Sequence, residues 1–171
     1  MHRARPRPFN ILCWSIVNQQ LSSRAAHTIA GRILELCDQP ELTPEGVLSV
    51  SGEALRGAGL SWRKVHYLRA LADAAQSGEL NFRALAQLDD EAVTGRLVAL
   101  PGIGAWTAQM FLMFALRRAD VFSPADVGLQ RATHELYGLD ARPTGARFEQ
   151  FAQRWRPFRT VAAWYLWRHV D

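Results

Sequence analysis

Hydrophobic residues recur every three to four positions along most of the chain, the spacing expected of helices with one buried face. Three such faces are Phe9, Leu12, Cys13 and Ile16; Ile29, Ile33 and Leu36; and Val65, Leu68, Leu71 and Ala75. The sequence contains no alternating run rich in Val, Ile, Thr or Tyr, as strands would require. The pattern therefore predicts an all-α fold of roughly nine or ten short helices.

Capping and turn residues divide this pattern into separate helices. Thr43 before Pro44 begins one helix, Ser61 caps the next, and Gly78 ends it. A polar break, Asn18-Gln19-Gln20, precedes a helix that begins near Ser22. Later helices are predicted over residues 81–86, 89–98, 104–117, 127–137, 145–155 and 157–170.

The length of 171 residues suits a single domain. Arginines and prolines dominate the first residues, and Pro6 and Pro8 are expected to prevent an early helix. We therefore predict a basic N-terminal arm over residues 1–8 and one folded domain over residues 9–171.

Composition excludes several classes of protein. Apolar residues make up 49% of the chain and charged residues 21%, so the chain can bury a core and is not globally disordered. The longest apolar run, Met110 to Leu116, is far shorter than the roughly 20 residues that cross a bilayer. We predict no membrane partner and a cytoplasmic protein. Cys13 and Cys37 have no metal-ligand spacing and are expected to be buried thiols.

The charge balance points to a polyanionic partner. Twenty basic residues face 16 acidic ones, giving a net charge of +4, and every basic residue except Lys64 is arginine. The planar guanidinium matches phosphate geometry, which favours nucleic acid as a partner. An arginine-rich composition without any such ligand is the alternative.

The segment from Leu100 to Gly104, Leu-Pro-Gly-Ile-Gly, separates two predicted helices. Its glycines permit left-handed backbone and the close approach of another chain, and the helix that follows presents amide groups that bind phosphate. A helix-hairpin-helix uses such a loop to hold the DNA backbone without sequence preference. A plain interhelical turn is the alternative. The apolar helix after the loop favours the hairpin, which we place at about residues 89–117.

Asp126 precedes the helix predicted over residues 127–137. Such a position is typical of an ordinary N-cap. The same position also holds a carboxylate ionised, and a fixed anion stabilises the oxocarbenium-like transition state of glycoside hydrolysis. The two readings are compatible.

Two further features suit a protein that binds an extruded base. Of six tryptophans, most are expected in the core, but Trp106 lies two residues beyond the hairpin loop and is a candidate for base stacking. The Asn18-Gln19-Gln20 break is either a solvated turn or the source of a side chain that fills the gap left in the duplex.

These features, in this order, resemble the helix-hairpin-helix (HhH-GPD) DNA glycosylases, and within them the AlkA-type 3-methyladenine DNA glycosylase II branch. The resemblance extends from about Phe9 to Trp167. The matching segments are Asn18-Gln19-Gln20-Leu21-Ser22; Gly59-Leu60-Ser61 with Lys64; Leu100-Pro101-Gly102-Ile103-Gly104-Ala105-Trp106-Thr107-Ala108; Pro124-Ala125-Asp126; and Trp155-Arg156-Pro157-Phe158-Arg159 with Trp167.

The resemblance implies a fold of two helical lobes with the active site in the cleft, and a role for each matching residue. Asp126 would be catalytic, Trp106 and Trp167 would frame the flipped base, and Gln20 would be the wedge. The hairpin would hold a DNA phosphate at Gly102, Ile103, Gly104 and Thr107. The carbonyls of Val98, Leu100 and Ile103 would be the ligands of a structural sodium or potassium ion.

Departures from the family refine these expectations. Relatives that also cleave the strand have a lysine where this chain has Trp106, so we expect base excision without lyase activity. Two cysteines cannot supply the four that hold an iron–sulfur cluster in some relatives. Met110 and Val127 replace two pocket aromatics and would alter the base preference. The family's N-terminal α/β domain is expected to be missing, by nature or by truncation.

The resemblance thus implies a monofunctional, monomeric hydrolase of base excision repair. It would flip alkylated bases such as 3-methyladenine and 7-methylguanine out of double-stranded DNA, working at the nucleoid, and would leave an abasic site. Ethenoadenine, hypoxanthine and 3-methylcytosine stay open as further substrates. The alternatives are a non-catalytic damage-binding module with the same hairpin, and an all-α interaction protein.

Overall fold

The computed structural model describes residues 7–170, apart from the side chain of Ser23, and every regular element in that range is helical. The all-α prediction is therefore confirmed. The helices are α1 (Pro8–Asn18), α2 (Ser23–Cys37), α3 (Pro44–Ser49), α4 (Gly52–Gly57), α5 (Trp62–Ser77), α6 (Phe82–Leu85), α7 (Asp90–Val98), α8 (Ala105–Phe114), α9 (Val127–Tyr137), α10 (Gly145–Ala152), the 3-10 helix Gln153–Trp155 and α11 (Arg159–Val170).

Most of the predicted basic arm, residues 1–6, lies outside the described residues. Arg7 is the N-cap of α1, and Pro8 is its first helical residue rather than a barrier before it. The reason is that a proline in the first turn gives up no intrahelical hydrogen bond and already has a helical φ. None of the described helices is both long and apolar enough to cross a bilayer.

The chain forms two compact units, Met1–Phe111 and Leu112–Asp171. In the first, α5 is the central helix, and α1, α3 and α4 pack against it. Its core consists mainly of fully buried aliphatic side chains, among them Leu12, Ile16, Ile33, Leu55, Leu60, Leu68, Leu71 and Leu97. Leu36 departs from the prediction, since it is exposed and α2 buries Ala26, Ala30 and Ile33 instead.

Both ends of α5 follow the sequence signals. The Ser61 hydroxyl accepts the amide hydrogen bond of Lys64 at the N-terminus, and Gly78 adopts left-handed backbone at the C-terminus. The sequence prediction omitted α4, a six-residue helix. Its glycines weaken the helical pattern, but the Ser51 hydroxyl caps it by accepting from the Ala54 amide.

Cys13 and Cys37 are free thiols in the first unit, and both are buried as predicted. Burial raises the pKa of both thiols, and the neighbouring Cys37 raises that of Cys13 further.

The second unit has its own core, in which α9 packs against α11. The rings of Phe122 and Phe148 meet edge to face at 4.8 Å. Around them lie Leu129, Ala132, Ala152, Ala163 and Leu166. This core fixes the start of α9, where Asp126 is located.

Two helix ends differ from the prediction. α8 ends at Phe114 rather than at residue 117, because Arg117 is left-handed and the Arg118 amide bonds back to the Leu112 carbonyl. α11 begins at Arg159 rather than at Pro157, since a turn closed by the Phe158 amide on the Trp155 carbonyl precedes it.

Asp120 anchors the loop before α9 to the start of α11. Its Oδ1 accepts from Arg159 Nε at 2.7 Å, and its Oδ2 lies 3.5 Å from Arg156 Nε. Burial alone would raise the pKa of Asp120, but the hydrogen bonds from Arg159 and the charges of both arginines outweigh it and lower the pKa.

We expect this anchor to weaken in acid. Because the folded-state pKa of Asp120 is depressed, its stabilisation is present above the unfolded-state value of about 3.9 and disappears as the pH falls through the folded-state value. An Asp120→Asn variant should therefore be less stable than the parent at pH 5–7, and the gap should narrow below about pH 4. Urea unfolding across this pH range measures the gap. A gap that is constant down to acid pH would contradict the assignment.

Candidate functional site

The loop between α7 and α8 is a tight hairpin. The Ile103 amide bonds to the Leu100 carbonyl at 3.2 Å, and Gly102 has a φ of 81°, which glycine adopts without strain. A Cβ at Gly102 would overlap the Tyr67 ring, so glycine is required there for space as well. Helices joined by such a loop form the predicted helix-hairpin-helix, with boundaries at residues 90–114 rather than 89–117.

The start of α8 offers a surface for an anion. Gly104 is exposed, whereas Ile103 and Thr107 are buried, so the side of the loop at Gly104 faces solvent. The first amides of a helix have no partner within that helix and attract anions together with the helix dipole. This arrangement suits a phosphate group held by backbone atoms.

The polar break between α1 and α2 is a turn with Gln20 at its tip. Gln20 is exposed and has a φ of 57°, a left-handed value that is uncommon for a residue other than glycine. Gln20 and Trp106 line the same cavity of about 420 Å³ in the first unit, together with Lys64. Trp106 is 41% exposed, so its indole can receive a stacking partner. The structure thus brings two predicted site residues to one cavity.

Sequence reasoning missed the contacts that hold this turn. Lys64 Nζ donates to the carbonyls of Val17 and Gln19, at 2.7 and 2.6 Å. Gln19 Nε2 donates to the Gly102 carbonyl at 2.8 Å. Burial, and then the charge of neighbouring Arg63, lowers the pKa of Lys64. That Lys64 is the single lysine of the chain was the signal available in the sequence.

Asp126 is the N-cap of α9 in the second unit, as its sequence position indicated. It is only 9% exposed, and its Oδ1 accepts from the Leu129 amide at 2.8 Å and from Trp167 Nε1 at 3.0 Å. The helix N-terminus and both donors stabilise negative charge on the carboxylate. Asp126 is therefore a buried, oriented anion.

Trp167 contacts Asp126 through its N–H and Phe114 through its ring. The Phe114 and Trp167 rings stack with centroids 5.9 Å apart, which fixes the direction of the indole N–H. Gly128 lies close to this pair, since a Cβ there would be 3.2 Å from Asp126 Oδ1 and 3.3 Å from Trp167 Cδ1. Neither Phe114 nor Gly128 was singled out in the sequence, and only the fold brings them to the carboxylate.

The two other predicted pocket residues have different environments. Met110 is 5% exposed and belongs to the core of the first unit, whereas Val127 is 63% exposed at the start of α9. Neither lines the 420 Å³ cavity. In the part of the chain that the structure describes, no three His, Cys, Asp or Glu side chains are grouped to bind a metal ion.

A family model settles the relationship of this chain to known proteins. Residues 13–157, which include the hairpin and Asp126, match the model of the HhH-GPD superfamily of base excision DNA repair proteins. The chain belongs to the HhH-GPD superfamily. This membership excludes the alternative of a plain all-α interaction protein.

Individual HhH-GPD relatives agree with this placement. DNA-3-methyladenine glycosylase 1 of Schizosaccharomyces pombe is 34% identical over 96% of this chain and 73% of its own length. A crystal structure of a DNA-3-methyladenine glycosidase from Bacillus halodurans superposes with a TM-score of 0.84 at 43% identity, covering 98% of this chain and 77% of the other. The S. pombe 3-methyladenine DNA glycosylase in complex with abasic DNA superposes with a TM-score of 0.87 at 32% identity, covering 98% and 84%.

Proposed function

We propose that this protein is a monofunctional DNA glycosylase that removes alkylated bases, such as 3-methyladenine and 7-methylguanine, from double-stranded DNA. The observation that carries the proposal is Asp126, a buried carboxylate oriented by the Leu129 amide and the Trp167 indole. Relatives named DNA-3-methyladenine glycosylase support the choice of substrate. A non-catalytic binding module would have no need of such a carboxylate.

DNA would be held by its backbone. The exposed start of α8 at Gly104, together with Gly102, Ile103 and Thr107, offers a phosphate site, and arginines outside the site add positive charge. Because such binding releases counterions from DNA, affinity should fall steeply with salt concentration.

Base extrusion would use Gln20 and the two tryptophans. Gln20 is exposed at the tip of its turn and would fill the space that the base leaves. A flipped alkylated purine carries positive charge and stacks well on indole, for which the exposed Trp106 is available. Trp167 would contribute an aromatic edge of the pocket, and it also orients Asp126. Met110 and Val127 would tune the base preference.

The chemical step needs no general acid. A cationic 3-methyladenine leaves with the electron pair of the N-glycosidic bond and becomes neutral, so positive charge moves to the sugar. Asp126 would stabilise this oxocarbenium character, as carboxylates do in glycoside hydrolysis. Water then bonds to the anomeric carbon and loses a proton, and the product is an abasic site.

We also propose that the carbonyls of Val98, Leu100 and Ile103 bind a sodium or potassium ion at the hairpin. Neutral carbonyl oxygens are ligands that hard cations accept. The Leu100 carbonyl accepts one amide hydrogen bond, from Ile103, and a carbonyl has a second lone pair for a cation. The ion would rigidify the loop and add positive charge near the phosphate.

A Trp106→Lys variant is expected to gain no efficient strand-cleaving activity. Residue 106 is 41% exposed, so a lysine there would stay solvated and protonated, and a protonated amine does not form a Schiff base. Borohydride trapping and gel analysis of strand breaks measure the outcome. Strand cleavage at the parent's rate of base excision would show that residue 106 is desolvated in the DNA complex.

The proposed function is tested by single-turnover release of 3-methyladenine and 7-methylguanine from methylated duplex DNA. We expect release of free bases with intact strands, from a protein that acts as a monomer in the cytoplasm on chromosomal DNA. Salt-dependent binding to abasic DNA without release of any alkylated, ethenylated or deaminated base would contradict the enzyme and support the binding module.

A further inference from the structure

The turn that carries Gln20 depends on a contact from another helix. α1 ends at Asn18, and the last carbonyls of a helix have no partner within that helix. Lys64, from the first turn of α5, donates to the carbonyls of Val17 and Gln19 at 2.7 and 2.6 Å. A cation at a helix C-terminus is also favoured by the helix dipole. Lys64 therefore caps α1 from outside.

The same turn is connected to the hairpin loop. Gln19 Nε2 donates to the Gly102 carbonyl at 2.8 Å, so one residue of the turn accepts from Lys64 through its backbone and bonds to the hairpin through its side chain. Tyr67, one helical turn after Lys64 on α5, covers Gly102. α5 thus contacts the turn with one side chain and the hairpin loop with another.

From these contacts we infer that Lys64 is a positioning residue, which holds the Gln20 turn in its left-handed conformation and in register with the hairpin loop. This inference rests on the proposed function, because it assigns Gln20 the task of filling the duplex. Lys64 itself contacts neither the base nor the sugar in this role. Its charge is spent on two backbone carbonyls, which sets it apart from the arginines that serve as phosphate ligands.

The competing role for Lys64 is direct binding of a DNA phosphate, and the two roles predict different salt behaviour. Loss of a phosphate ligand lowers the slope of log affinity against log salt by about 0.9. A Lys64→Met variant, which keeps the length of the side chain and removes the charge, should leave this slope unchanged. Arg32→Met, an exposed arginine on α2, is the charge-matched control.

The effect of Lys64→Met on catalysis should pass through Gln20. We expect single-turnover release of 3-methyladenine to slow about ten- to a hundredfold, because a displaced group loses the geometry that the reaction needs. In a Gln20→Ala background the same substitution should have little further effect, since the wedge is already absent. Lys64→Arg, which retains donors and charge, should recover part of the rate.

A measurement on the free protein tests the inference without DNA. The amides of Gln19 and Leu21 bond to the carbonyls of Ile16 and Asn18 within the turn. Hydrogen exchange of these two amides should accelerate in Lys64→Met, while exchange in the interior of α5 stays as in the parent. Unchanged exchange at Gln19 and Leu21 would overturn the inference.

The outcomes separate this inference from the proposed function. Faster exchange, an unchanged salt slope and a rate loss that vanishes in the Gln20→Ala background support Lys64 as a positioning residue. A reduced slope with a rate loss that persists in that background would make Lys64 a phosphate ligand and overturn the inference. If the parent itself releases no base, the glycosylase proposal fails, and the exchange measurement still decides whether Lys64 holds the turn.

Discussion

An Asp126→Asn variant is expected to release methylated bases roughly 10²–10³-fold more slowly than the parent while it still binds DNA. The substitution removes the negative charge and keeps the size of the side chain. Loss of one preorganised electrostatic stabiliser costs about 3–4 kcal/mol of transition-state stabilisation, which corresponds to that change in rate. The measurement is single-turnover release of 3-methyladenine, with the affinity for abasic DNA measured in parallel.

The structure predicts that this variant folds normally. Asparagine caps helices as well as aspartate does, and its carbonyl oxygen can accept the same hydrogen bonds from the Leu129 amide and Trp167 Nε1. Glu135→Gln is the matched control, since it removes one carboxylate from the exposed side of α9 without touching Asp126. Normal turnover by Asp126→Asn would refute the catalytic assignment, and equal losses in both variants would reduce it to an effect of overall charge.

Local signals were sufficient to predict most of the fold. The start of α5 at Ser61, its end at Gly78 and the cap of α9 at Asp126 all depend on hydrogen bonds between residues close in sequence. Errors arose where the deciding contact is less local or the pattern is short. α8 stops early because Arg117 turns left-handed and Arg118 bonds back to Leu112, which hydrophobic spacing alone does not indicate.

The candidate site was predictable residue by residue but not as a set of contacts. Asp126 and Trp106 stand out by their positions beside recognisable motifs, whereas the bond from Trp167 to Asp126 joins residues 41 positions apart. The bond from Gln19 to Gly102 joins residues 83 positions apart. Such pairings follow from how helices pack, and a single sequence contains no local signal for them.

Gly102→Ala is expected to destabilise the protein by about 2–4 kcal/mol and to weaken DNA binding. Part of the cost is the left-handed backbone, with a φ of 81°, which a residue with a Cβ adopts at about 1–2 kcal/mol. The rest comes from overlap of the new methyl group with the Tyr67 ring, at about 1–3 kcal/mol for an overpacked site. Displacement of the loop would also move the amides that we propose to hold a phosphate.

Gly104→Ala is the matched control for stability, because it makes the same change two residues later in the same loop, where an added Cβ meets no atom within 4 Å. Thermal unfolding should therefore show a Tm lower by about 5–15 °C for Gly102→Ala and nearly unchanged for Gly104→Ala. In a Tyr67→Ala background the penalty at residue 102 should shrink to its backbone part. A penalty of equal size in both backgrounds would show that Tyr67 yields freely, and that left-handed backbone alone demands glycine in the hairpin.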